Sequence, residues 1–383
     1  MRALKICIVA NSTWNIYNFR QELIRHLMEA GHQVVVIAPV DEYIHYLNGT
    51  FFTKHIPLRH LDPQGRNLFR DARLLFEFYR IYRRERPDLI LHYTIKPNIY
   101  GSLAAGWLGI RNIATLTGLG QAFMKENVFR MFVISLYRKA LKSCAQVVFH
   151  NEDDMDTALR LRFVKEGQAI VIPGSGVDPE VFKPMPRSRN DSQFVFLFIG
   201  RLLIDKGIRE FVEAAIQVRA VVKNASFWIV GEFDESNPNS VGREELLYWV
   251  SSRFVKYFGK DKDVRRYIAD ADVVVLPSYR EGMPRTLLEA MAMEKPVIAT
   301  DVPGCRAAVK QEQNGFLVPP KDAQALSKAM LRMYYLSAGE HEAMGRAGRS
   351  GVLKHFQVRD IVQAYERLLI IEPVDSGKRH ENA

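Results

Sequence analysis

The sequence predicts an α/β protein made of two doubly wound domains, each built on a parallel sheet. Short runs rich in Val, Ile and Phe alternate with amphipathic helical patterns along the chain, as they do in successive βαβ units. The alternation stops at a polar, proline-containing stretch near the middle and then starts again. With 383 residues, the chain is also too long for one compact core of ordinary size.

The first half opens with an apolar strand, a loop and an amphipathic helix. Gly31 then occupies the position of a C-capping glycine before the second strand. A basic helix and another strand follow, separated by Pro87, which cannot continue a helix. The predicted elements are strand Leu4–Ala10, helix Tyr17–Ala30, strand Gln33–Ala38, helix Leu68–Glu85 and strand Leu89–His92.

A change in composition at Lys183–Gln193, with two prolines among charged and small polar residues, indicates a linker. The strand and helix patterns then resume over a second half of similar size. Its predicted elements are strand Phe194–Ile199, helix Gly207–Val222, strands Ser226–Val230 and Val273–Leu276, helix Arg285–Met293, strand Pro296–Ala299, and late helices Leu326–Tyr335 and Arg359–Ile370.

We therefore predict an N-terminal domain over residues 1–186 and a C-terminal domain over residues 187–355. The last segment, 356–383, is predicted as a helix that packs back on the N-terminal domain, followed by a frayed tail from Pro373 onward. Two such domains joined by one linker predict a central cleft. Because ligands bind beyond the carboxyl ends of the strands in these sheets, functional motifs are expected on loops that follow strands.

The composition narrows the classes of function. No apolar run approaches the roughly 20 residues that span a bilayer, and no secretory signal precedes the first strand, so the chain is expected in the cytoplasm. Cys7, Cys144 and Cys305 are scattered without metal-ligand spacing, which argues against disulfides or zinc. The net charge of +10 indicates an anionic partner. Nucleic acid, an anionic membrane surface and phosphorylated metabolites all fit it.

Two glutamates flank the start of the helix that follows strand Val273–Leu276. Glu281 precedes this helix and Glu289 lies two turns inside it. At roughly 1.5 Å of rise per helical residue, the two carboxylates are too far apart for one acid–base dyad. We expect them to bind two hydroxyl-bearing parts of one elongated ligand, with phosphate near the free N–H groups of the helix start. Exposed charges that only favour a helix N-terminus are the alternative.

Two cations follow strand Phe194–Ile199 in the pattern G-R-L…D-K-G. Arg201 offers a planar fork of donors to phosphate oxygens, and Lys206 adds a mobile point charge. Together they are suited to neutralising a diphosphate that leaves with developing charge. A solvated Arg and Lys in a surface loop would be the ordinary alternative.

These motifs carry a family resemblance. The two glutamates form E-x7-E, preceded by ADVVVLPS and followed by AMAMEKPVIATDVPG. This segment resembles the signature of the retaining family-four glycosyltransferases with the GT-B fold, and the GR…DKG pattern matches the same family. The resemblance extends over essentially the whole chain and is most specific in the second half.

The resemblance implies two Rossmann-like domains, an acceptor-binding one over residues 1–186 and a nucleotide-sugar donor-binding one over residues 187–355. It assigns the transferred sugar to Glu281, the ribose hydroxyls to Glu289, and the donor diphosphate to Arg201 and Lys206. The predicted catalytic residues are Glu281, Arg201 and Lys206. The backbone at three further positions is expected beside the sugar and diphosphate, namely Gly282, Met283 and Pro284.

No convincing Asp-x-Asp metal site accompanies these motifs. Asp153–Asp156 contains acids, but in a helical segment predicted to be exposed. Since two cations already cover the diphosphate, we expect a metal-independent enzyme without a cofactor. Arg253–Gly259 and Asp263 resemble the segment whose backbone meets the nucleobase, and uridine is expected from the habit of the family.

Several loops of the first domain are candidates for the acceptor side. Asn11 and Ser12 follow the first strand, and Thr117 and Gly118 form a turn after a later one. Lys96, in a loop after strand Leu89–His92, is the candidate ligand for an acceptor phosphate. Two other residues of these regions, His92 and Trp14, are interpreted as packed side chains.

The segment Phe123–Lys142 combines large apolar residues with five cations, as a helix lying on an anionic membrane surface does. A helix that faces the core with a solvated basic side explains the pattern equally well. Further arginines enlarge the positive field of the first domain and favour the membrane: Arg66, Arg70, Arg73, Arg80, Arg83 and Arg84. Together with the TIKPNIYGS and TGLG segments, this resembles enzymes that extend polyprenyl-diphosphate-linked glycans for bacterial surface polysaccharides or protein glycosylation.

The expected reaction is transfer of a hexose or N-acetylhexosamine from a UDP-sugar to a polyprenyl-diphosphate-linked sugar, with retention of the anomeric configuration. The enzyme is expected in the cytoplasm, peripheral on the inner face of the cell membrane. A GT-B epimerase, a phosphorylase and a transferase with a soluble acceptor are the competing enzymes. Nucleic-acid binding is disfavoured because aromatic and basic residues do not alternate at a base-reading spacing.

Overall fold

The computed structural model describes residues 2–47, 52, 54–63, 65, 67–120, 128–189, 191–235 and 237–370. The chain divides into two compact units. Unit 1 comprises Met1–Ser175 with Arg359–Ala383, and unit 2 comprises Gly176–Val358. The divisions thus fall after residues 175 and 358, whereas the sequence placed them after 186 and 355. The predicted tail from Pro373, together with Arg66 and residues 123–127, lies outside the described residues.

Unit 1 is built on a seven-stranded parallel sheet in the order β3-β2-β1-β4-β5-β6-β7. The direction of winding reverses between β1 and β4, which is the point where doubly wound sheets bind ligands. Strands β1, β4, β5 and β6 are almost wholly buried, as expected when helices cover both faces. The strands are β1 (Lys5–Val9), β2 (Gln33–Ala38), β3 (Lys54–Pro57), β4 (Leu89–Tyr93), β5 (Asn112–Leu116), β6 (Gln146–Phe149) and β7 (Ala169–Val171).

Helices connect these strands in unit 1, and a π-helical turn, Pro97–Gly101, follows β4. The single helix predicted over Tyr17–Ala30 is wrong: Arg20 has φ −126°, outside the helical range, and separates two helices. Gly31 has φ +84° and ends the second of them, as predicted. The helices are α1 (Thr13–Phe19), α2 (Gln21–Glu29), α3 (Ile44–Leu47), α4 (Leu68–Glu85), α5 (Ser102–Trp107), α6 (Val128–Leu141) and α7 (Glu152–Arg160).

Unit 2 is built on a six-stranded parallel sheet in the order β10-β9-β8-β11-β12-β13, with its switch point between β8 and β11. The strands are β8 (Phe194–Ile199), β9 (Ala225–Val230), β10 (Lys256–Tyr257), β11 (Val273–Leu276), β12 (Val297–Thr300) and β13 (Gly315–Val318). The helices are α8 (Ile208–Val221), α9 (Arg243–Ser251), α10 (Arg265–Asp270), α11 (Arg285–Ala292), α12 (Pro303–Ala308), α13 (Ala323–Tyr334) and α14 (Ala338–His355).

The last helix, α15 (Val358–Ile370), packs on unit 1. Arg111 donates hydrogen bonds to the carbonyls of Leu368 and Leu369, at 2.6 and 2.8 Å. The hydroxyl of Tyr365 lies 3.1 Å from that of Thr115, at the end of β5. These contacts tie the C-terminal helix to the sheet of the N-terminal unit.

Each of the three cysteines is buried and free. Burial raises the pKa of the Cys7 and Cys144 thiols to about 12. Separately, the helices of the described residues are too short or too polar to cross a lipid bilayer.

Candidate functional site

The loop after β8 and the loop after β11 touch each other at the switch point of unit 2. The loop after β8 ends in a 3₁₀ turn, Ile204–Lys206, and Gly207 follows with φ +72°. A Cβ at Gly207 would lie only 2.6 Å from the carbonyl carbon of Pro277, so a larger residue would force the loops apart. The Tyr279 N–H also donates to the Asp205 carbonyl, at 2.9 Å. This contact places Lys206 beside the residues that follow β11.

Lys206 and Glu281 form an ion pair across the two loops. Lys206 Nζ lies 2.5 Å from Glu281 Oε1, and both side chains are largely shielded from water. Weak solvation strengthens such a pair relative to one on an open surface. The structure therefore brings together one predicted diphosphate ligand and the predicted sugar ligand, which lie 75 residues apart in the sequence.

A third segment, after β12, contacts the backbone of Glu281. The Gly304 N–H, in α12, donates to the Glu281 carbonyl at 3.2 Å. A Cβ at Gly304 would lie 2.5 Å from the carbonyl carbon of Gly282 and 2.8 Å from that of Glu281. The glycine of the DVPG segment is thus required for this close approach.

Glu289 lies one turn inside α11, not two as predicted, and pairs with Arg285 at the start of the same helix. Arg285 Nε is 2.8 Å from Glu289 Oε1, and the carboxylate side chain is only 12 % exposed. Burial raises the pKa of Glu289 above its usual range, although the charge of Arg285 acts in the opposite direction. A buried carboxylate of this kind has a strong preference for hydrogen-bond donors.

Three of the remaining predicted donor residues lie between the two glutamates in sequence, and Arg201 follows β8. Gly282 and Pro284 are buried, and Pro284 occupies the N-cap of α11. Met283 packs partly against the hydrophobic core of unit 2. Arg201 is exposed and makes no hydrogen bond or ion pair through its guanidinium with the part of the chain that the structure describes.

Sequence patterns did not reveal the side chains that hold these loops in place. The Tyr279 hydroxyl donates to Glu210 Oε1 of α8 at 2.6 Å, and Asn239 Nδ2 donates to Asp205 Oδ1 at 2.6 Å. Only Asp205 belonged to a recognised pattern, D-K-G. The others act through partners that are distant in sequence, so no local signal was available.

The segment that resembles a nucleobase-binding one lies beside the end of β9. The Gly231 N–H donates to the Gly259 carbonyl at 2.8 Å, and the Tyr257 hydroxyl donates to the Gly231 carbonyl at 3.0 Å. Asp263 forms an ion pair with Arg265, which lowers the pKa of its carboxyl. The backbone of residues 257–259 is therefore fixed at the same edge of the sheet as the two glutamates.

In unit 1, the loop after β1 is stabilised by its own capping interactions. Ser12 Oγ accepts a hydrogen bond from the Asn15 N–H at 3.1 Å and caps α1. Asn11 is half-buried just before it. Trp14 is partly exposed and makes an edge-on contact with Phe19, consistent with a packing role. The hydroxyl of Ser12 is thus already engaged in the fold.

Lys96, the predicted phosphate ligand, has an internal partner. Its Nζ lies 2.5 Å from Asp71 Oδ1, and the Tyr100 hydroxyl donates to Asp71 Oδ2 at 2.9 Å. The Lys96 side chain is only 13 % exposed. Its assignment to an acceptor phosphate stays a prediction, and such a role would require the ammonium to be shared with Asp71.

His92 is buried, as expected, with Nε2 2.8 Å from the Tyr82 hydroxyl and Nδ1 3.2 Å from Ser102 Oγ. Burial lowers the pKa of His92 to about 3, so the imidazole is neutral. Thr117 and Gly118 form a half-buried turn directly after β5, with φ +137° at Gly118. This turn lies at the carboxyl edge of the unit 1 sheet.

Sequence analysis missed a buried arginine at this edge. Arg20 lies over the Tyr93 ring, with its guanidinium carbon 3.7 Å from the ring centroid. His150, directly after β6, is also buried, and burial together with the charge of Arg20 lowers its pKa to about 3. Arg20 lay inside the predicted helix Tyr17–Ala30 and was not singled out.

Among the described residues, no group of three or more His, Cys, Asp or Glu side chains could hold a metal ion. The expectation that Asp153–Asp156 is exposed is wrong for Asp154. This carboxylate is fully buried at the start of α7, where its N–H donates to Asn151 Oδ1 at 2.8 Å and its Oδ2 accepts from Asn151 Nδ2 at 3.1 Å. It caps the helix.

Unit 1 exposes apolar and basic side chains on α4 and α6. Phe69 and Met131 are 85 % and 71 % exposed, and Phe76 and Phe132 are also exposed. The exposed cations on the same two helices are Arg70, Arg73, Arg80, Arg83, Arg84, Arg138 and Lys139, with Lys142 just after α6. The two helices thus combine the features expected of a surface that contacts anionic lipid.

Comparison with known families matches both halves of the chain. Residues 19–181 match the model described as Glycosyltransferase Family 4, and residues 193–335 match the model described as Glycosyl transferases group 1. The two matched segments correspond closely to the two units.

Curated relatives match over most of their length. The N,N'-diacetylbacillosaminyl-diphospho-undecaprenol alpha-1,3-N-acetylgalactosaminyltransferase of Campylobacter jejuni is 29 % identical over 341 residues, which cover 85 % of this chain and 88 % of the relative. The UDP-Gal:alpha-D-GlcNAc-diphosphoundecaprenol alpha-1,3-galactosyltransferase of Escherichia coli is 27 % identical, over 70 % of this chain and 71 % of the relative.

Solved structures share the fold at lower identity. A glycosyltransferase from Rickettsia africae superposes with a TM-score of 0.78 at 20 % identity, covering 98 % of this chain and all of the other. Anabaena Alr3699/HepE in complex with UDP and glucose gives a TM-score of 0.78 at 19 % identity, over 96 % of this chain and all of the other.

Proposed function

Because the chain belongs to the family-four glycosyltransferases of the GT-B fold, we propose that it is a retaining hexosyl- or N-acetylhexosaminyltransferase. The donor is a UDP-sugar and the acceptor is a sugar linked to a polyprenyl diphosphate. The general activity, glycosyl transfer, follows from the family. The donor, the acceptor and retention are the proposed part.

One observation carries the proposal, namely the Lys206–Glu281 pair at the switch point of unit 2, with Glu289 on the helix that follows. A nucleotide sugar offers hydroxyls at both ends and a diphosphate between them. Carboxylates accept hydrogen bonds from hydroxyls, and cations neutralise phosphate oxygens. The order of sugar, diphosphate and ribose along the donor thus suits Glu281, Lys206 with Arg201, and Glu289.

Lys206 and Glu281 neutralise each other in the absence of donor. When a nucleotide sugar binds, Lys206 turns its ammonium to the diphosphate and Glu281 accepts hydrogen bonds from the sugar hydroxyls. Because the leaving group gains negative charge as the bond to the sugar breaks, fixed cations stabilise the transition state more than the ground state.

No carboxylate is assigned as a nucleophile on the anomeric carbon. Retention is therefore attributed to front-side substitution, in which the acceptor hydroxyl attacks the face that the diphosphate leaves. A diphosphate oxygen takes the hydroxyl proton as the new glycosidic bond forms. Arg201 and Lys206 keep that oxygen in place, and no metal ion is required to neutralise it.

The acceptor class is supported by the named activities of the Campylobacter and Escherichia relatives, which act on diphospho-undecaprenol-linked sugars. The exposed apolar and basic side chains of α4 and α6 agree with a lipid-linked acceptor. Unit 1 is accordingly assigned to the acceptor, and the chain to the inner face of the cell membrane. Vesicle flotation with and without anionic lipid tests this location, with binding expected only to anionic vesicles.

The decisive experiment is a transfer assay with a panel of UDP- and GDP-sugars and a polyprenyl-diphosphate-linked N-acetylhexosamine, with and without EDTA. We expect turnover with one UDP-hexose or UDP-N-acetylhexosamine, unaffected by EDTA, and an axial anomeric product from an axial donor. Turnover only with GDP-sugars would overturn the nucleobase assignment. Turnover only with water-soluble sugars would favour a soluble acceptor, and interconversion of donor epimers without transfer would favour an epimerase.

A further inference from the structure

Arg20 is placed by an irregularity in the backbone of unit 1. It ends α1 and precedes α2, with φ −126° and ψ −4°. The break points its side chain inward, across the Tyr93 ring at the end of β4. Strands β1 and β4 border the switch point of this sheet, so Arg20 lies where a doubly wound sheet binds its ligand.

The guanidinium of Arg20 has no counter-ion in the described part of the chain. The residue is only 3 % exposed, yet it makes no side-chain hydrogen bond or ion pair with the residues that the structure describes. Its Nε is buried and has no hydrogen-bond acceptor among the described residues, whereas the two terminal nitrogens are not fully buried. A buried cation without a partner is strongly unfavourable, and the face of one tyrosine offsets only a small part of that penalty.

Three titratable side chains that interact with Arg20, namely His150, Tyr93 and Tyr365, supply no negative charge. His150 is neutral, since burial and the nearby guanidinium hold its pKa at about 3, and its Nε2 is buried without a hydrogen-bond partner in the described part of the chain. Tyr365 of α15 lies against Tyr93, with ring centroids 6.2 Å apart. Burial raises the pKa of Tyr93 and Tyr365 above the usual range, so both phenols stay protonated.

The same edge carries further buried polar atoms that lack a hydrogen-bond partner among the described residues. These include Thr94 Oγ1, directly after β4, and Asn98 Oδ1, in the π-helical turn that follows. Buried polar groups are nearly always paired in folded proteins. A concentration of unpaired groups at a switch point therefore marks a place where a ligand completes the hydrogen bonding.

We propose that Arg20 is the anion-binding residue of the acceptor site, and that it receives an oxyanion of the acceptor through its two terminal nitrogens. A guanidinium binds a phosphate or carboxylate in two-pronged fashion. His150 adds a neutral N–H donor in the tautomer protonated at Nε2. For the identity of the acceptor, this inference rests on the proposed function, which supplies a diphosphate. A carboxylate on the acceptor sugar has the same chemistry.

Calorimetric titration of the full chain tests this assignment. The protein is saturated with UDP, and inorganic pyrophosphate and glucuronate are then titrated in separate experiments. The variants are Arg20→Met, which keeps the length of the side chain without its charge, and Arg160→Met, an exposed arginine of α7. We expect pyrophosphate to bind the wild type and Arg160→Met equally, and Arg20→Met at least tenfold more weakly.

The outcomes separate the sources of the oxyanion. Arg20-dependent binding of glucuronate in place of pyrophosphate supports the site with a carboxylate as its ligand. Anion binding that is equal in wild type and Arg20→Met, or absent from both for both anions, overturns it. The melting temperature gives a second criterion without any anion: Arg20→Met should melt no lower than wild type, whereas a marked decrease would indicate a purely structural role.

Failure of the proposed donor site is distinguished by a double variant, Arg201→Ala with Lys206→Ala. If unit 2 does not bind UDP, the UDP titration of the wild type shows no heat. The pyrophosphate titration of the double variant still reports on Arg20 alone. Each unit is therefore tested by its own ligand.

Discussion

The two units have the same kind of sheet, but buried charged side chains at their switch points differ in whether they have a partner of opposite charge. In unit 2 the functional carboxylates each meet a cation, Glu281 with Lys206 and Glu289 with Arg285. In unit 1 the guanidinium of Arg20 is buried against Tyr93 without an anion in the described residues. The two carboxylates of the unit 2 edge are thus paired before ligand binds, whereas the buried guanidinium of the unit 1 edge is not.

This difference fits the chemistry assigned to each unit. A nucleotide sugar brings both neutral hydroxyls and a diphosphate. When it binds, the carboxylates of unit 2 can accept hydrogen bonds from its hydroxyls and the cations can bind its phosphates, in place of the ion pairs between them. The oxyanion of the acceptor, by contrast, requires only a cation. The comparison also predicts that substitutions at the two edges differ in their effects on stability and on activity.

The largest effect is expected from the cations of unit 2. Lys206→Ala and Arg201→Ala should each lower the turnover number by about 10²–10³, the range found when a charge-stabilising group is removed from a transition state. Lys223→Ala, at an exposed lysine after α8 in the same unit, is the matched control. Rates within a factor of about 3 of wild type for purified, folded Lys206→Ala would remove the basis for the diphosphate assignment.

A slightly smaller loss is expected when the support behind Glu281 is displaced. Gly304→Ala places a methyl group 2.8 Å from the Glu281 carbonyl carbon and should push the loop outward. We expect a loss of transfer of about tenfold to a hundredfold, since a displacement near 1 Å has that effect on positioned groups.

Gly351→Ala provides the control for Gly304→Ala. A Cβ at Gly351, on α14, would meet no atom within 4 Å. Alanine in a helix interior is favoured over glycine by roughly 0.5–1 kcal/mol, so this variant should melt slightly higher with full activity. Equal activity for the two variants would contradict the role given to Gly304.

Glu289→Gln should separate stability from function. The folded-state pKa of Glu289 is raised, so its ionised form opposes folding at neutral pH, and any stabilising contribution is present only below the unfolded-state pKa. The amide should therefore raise the melting temperature by a few degrees at pH 7, equivalent to about 1 kcal/mol. Wild-type activity should also fall on acidification. Because the pKa of Glu289 is raised, this loss should begin at a higher pH than the usual pKa of a glutamate predicts.

The measurement for Glu289→Gln is thermal unfolding at pH 7 and pH 4, combined with donor titration. The stability gain should disappear at pH 4, where wild-type Glu289 is largely protonated. A melting temperature that falls at pH 7, together with unchanged donor affinity, would show that the carboxylate is a structural partner of Arg285 only.

The smallest effect on function is expected from Glu85, a charged residue of unit 1 away from the switch point. Burial alone would raise the pKa of Glu85, but hydrogen bonds from Lys54 and Lys5 lower it to about 2. Its stabilising contribution is therefore present above the unfolded-state pKa and lost as the pH falls toward 2. Glu85→Gln should lower the free energy of unfolding at pH 7 by about 1–2 kcal/mol without changing transfer.

Acid titration of stability checks this prediction. Between pH 5 and pH 3, the melting temperature of wild type should fall more steeply than that of Glu85→Gln. Parallel curves would show that Glu85 is not the titrating group, and a loss of transfer activity would show that its influence reaches the site.

The sequence predicted the two α/β units and pointed to the loops after β8 and β11 as the candidate site, because periodicity and strand-end motifs are local signals. It did not predict α14, which contains four glycines, because glycine disfavours helices on intrinsic propensity. Two of these glycines lie against α11 and the residues after it. A Cβ at Gly345 would lie 2.8 Å from the carbonyl carbon of Glu294, and one at Gly348 would lie 3.1 Å from Met291. Close packing of the two helices thus overrides propensity.

Local sequence patterns could not predict two of the ion pairs either, because their members are distant in sequence. Lys206 and Glu281 were each recognised, but their contact depends on two loops brought together by Gly207 and Gly304. Lys96 looked like a free phosphate ligand because Asp71, its partner, is 25 residues away. Arg20 was not singled out because its inward orientation depends on a helix break that the pattern did not predict.

The most direct test of the donor site compares UDP with uridine by calorimetry on wild type and Arg201→Ala. If Arg201 binds the diphosphate, the substitution should weaken UDP binding at least tenfold and leave the affinity for uridine, measured by competition, unchanged. If Arg201→Ala binds UDP as wild type does, or binds UDP and uridine more weakly to the same extent, Arg201 does not bind the diphosphate and the proposed donor site is contradicted.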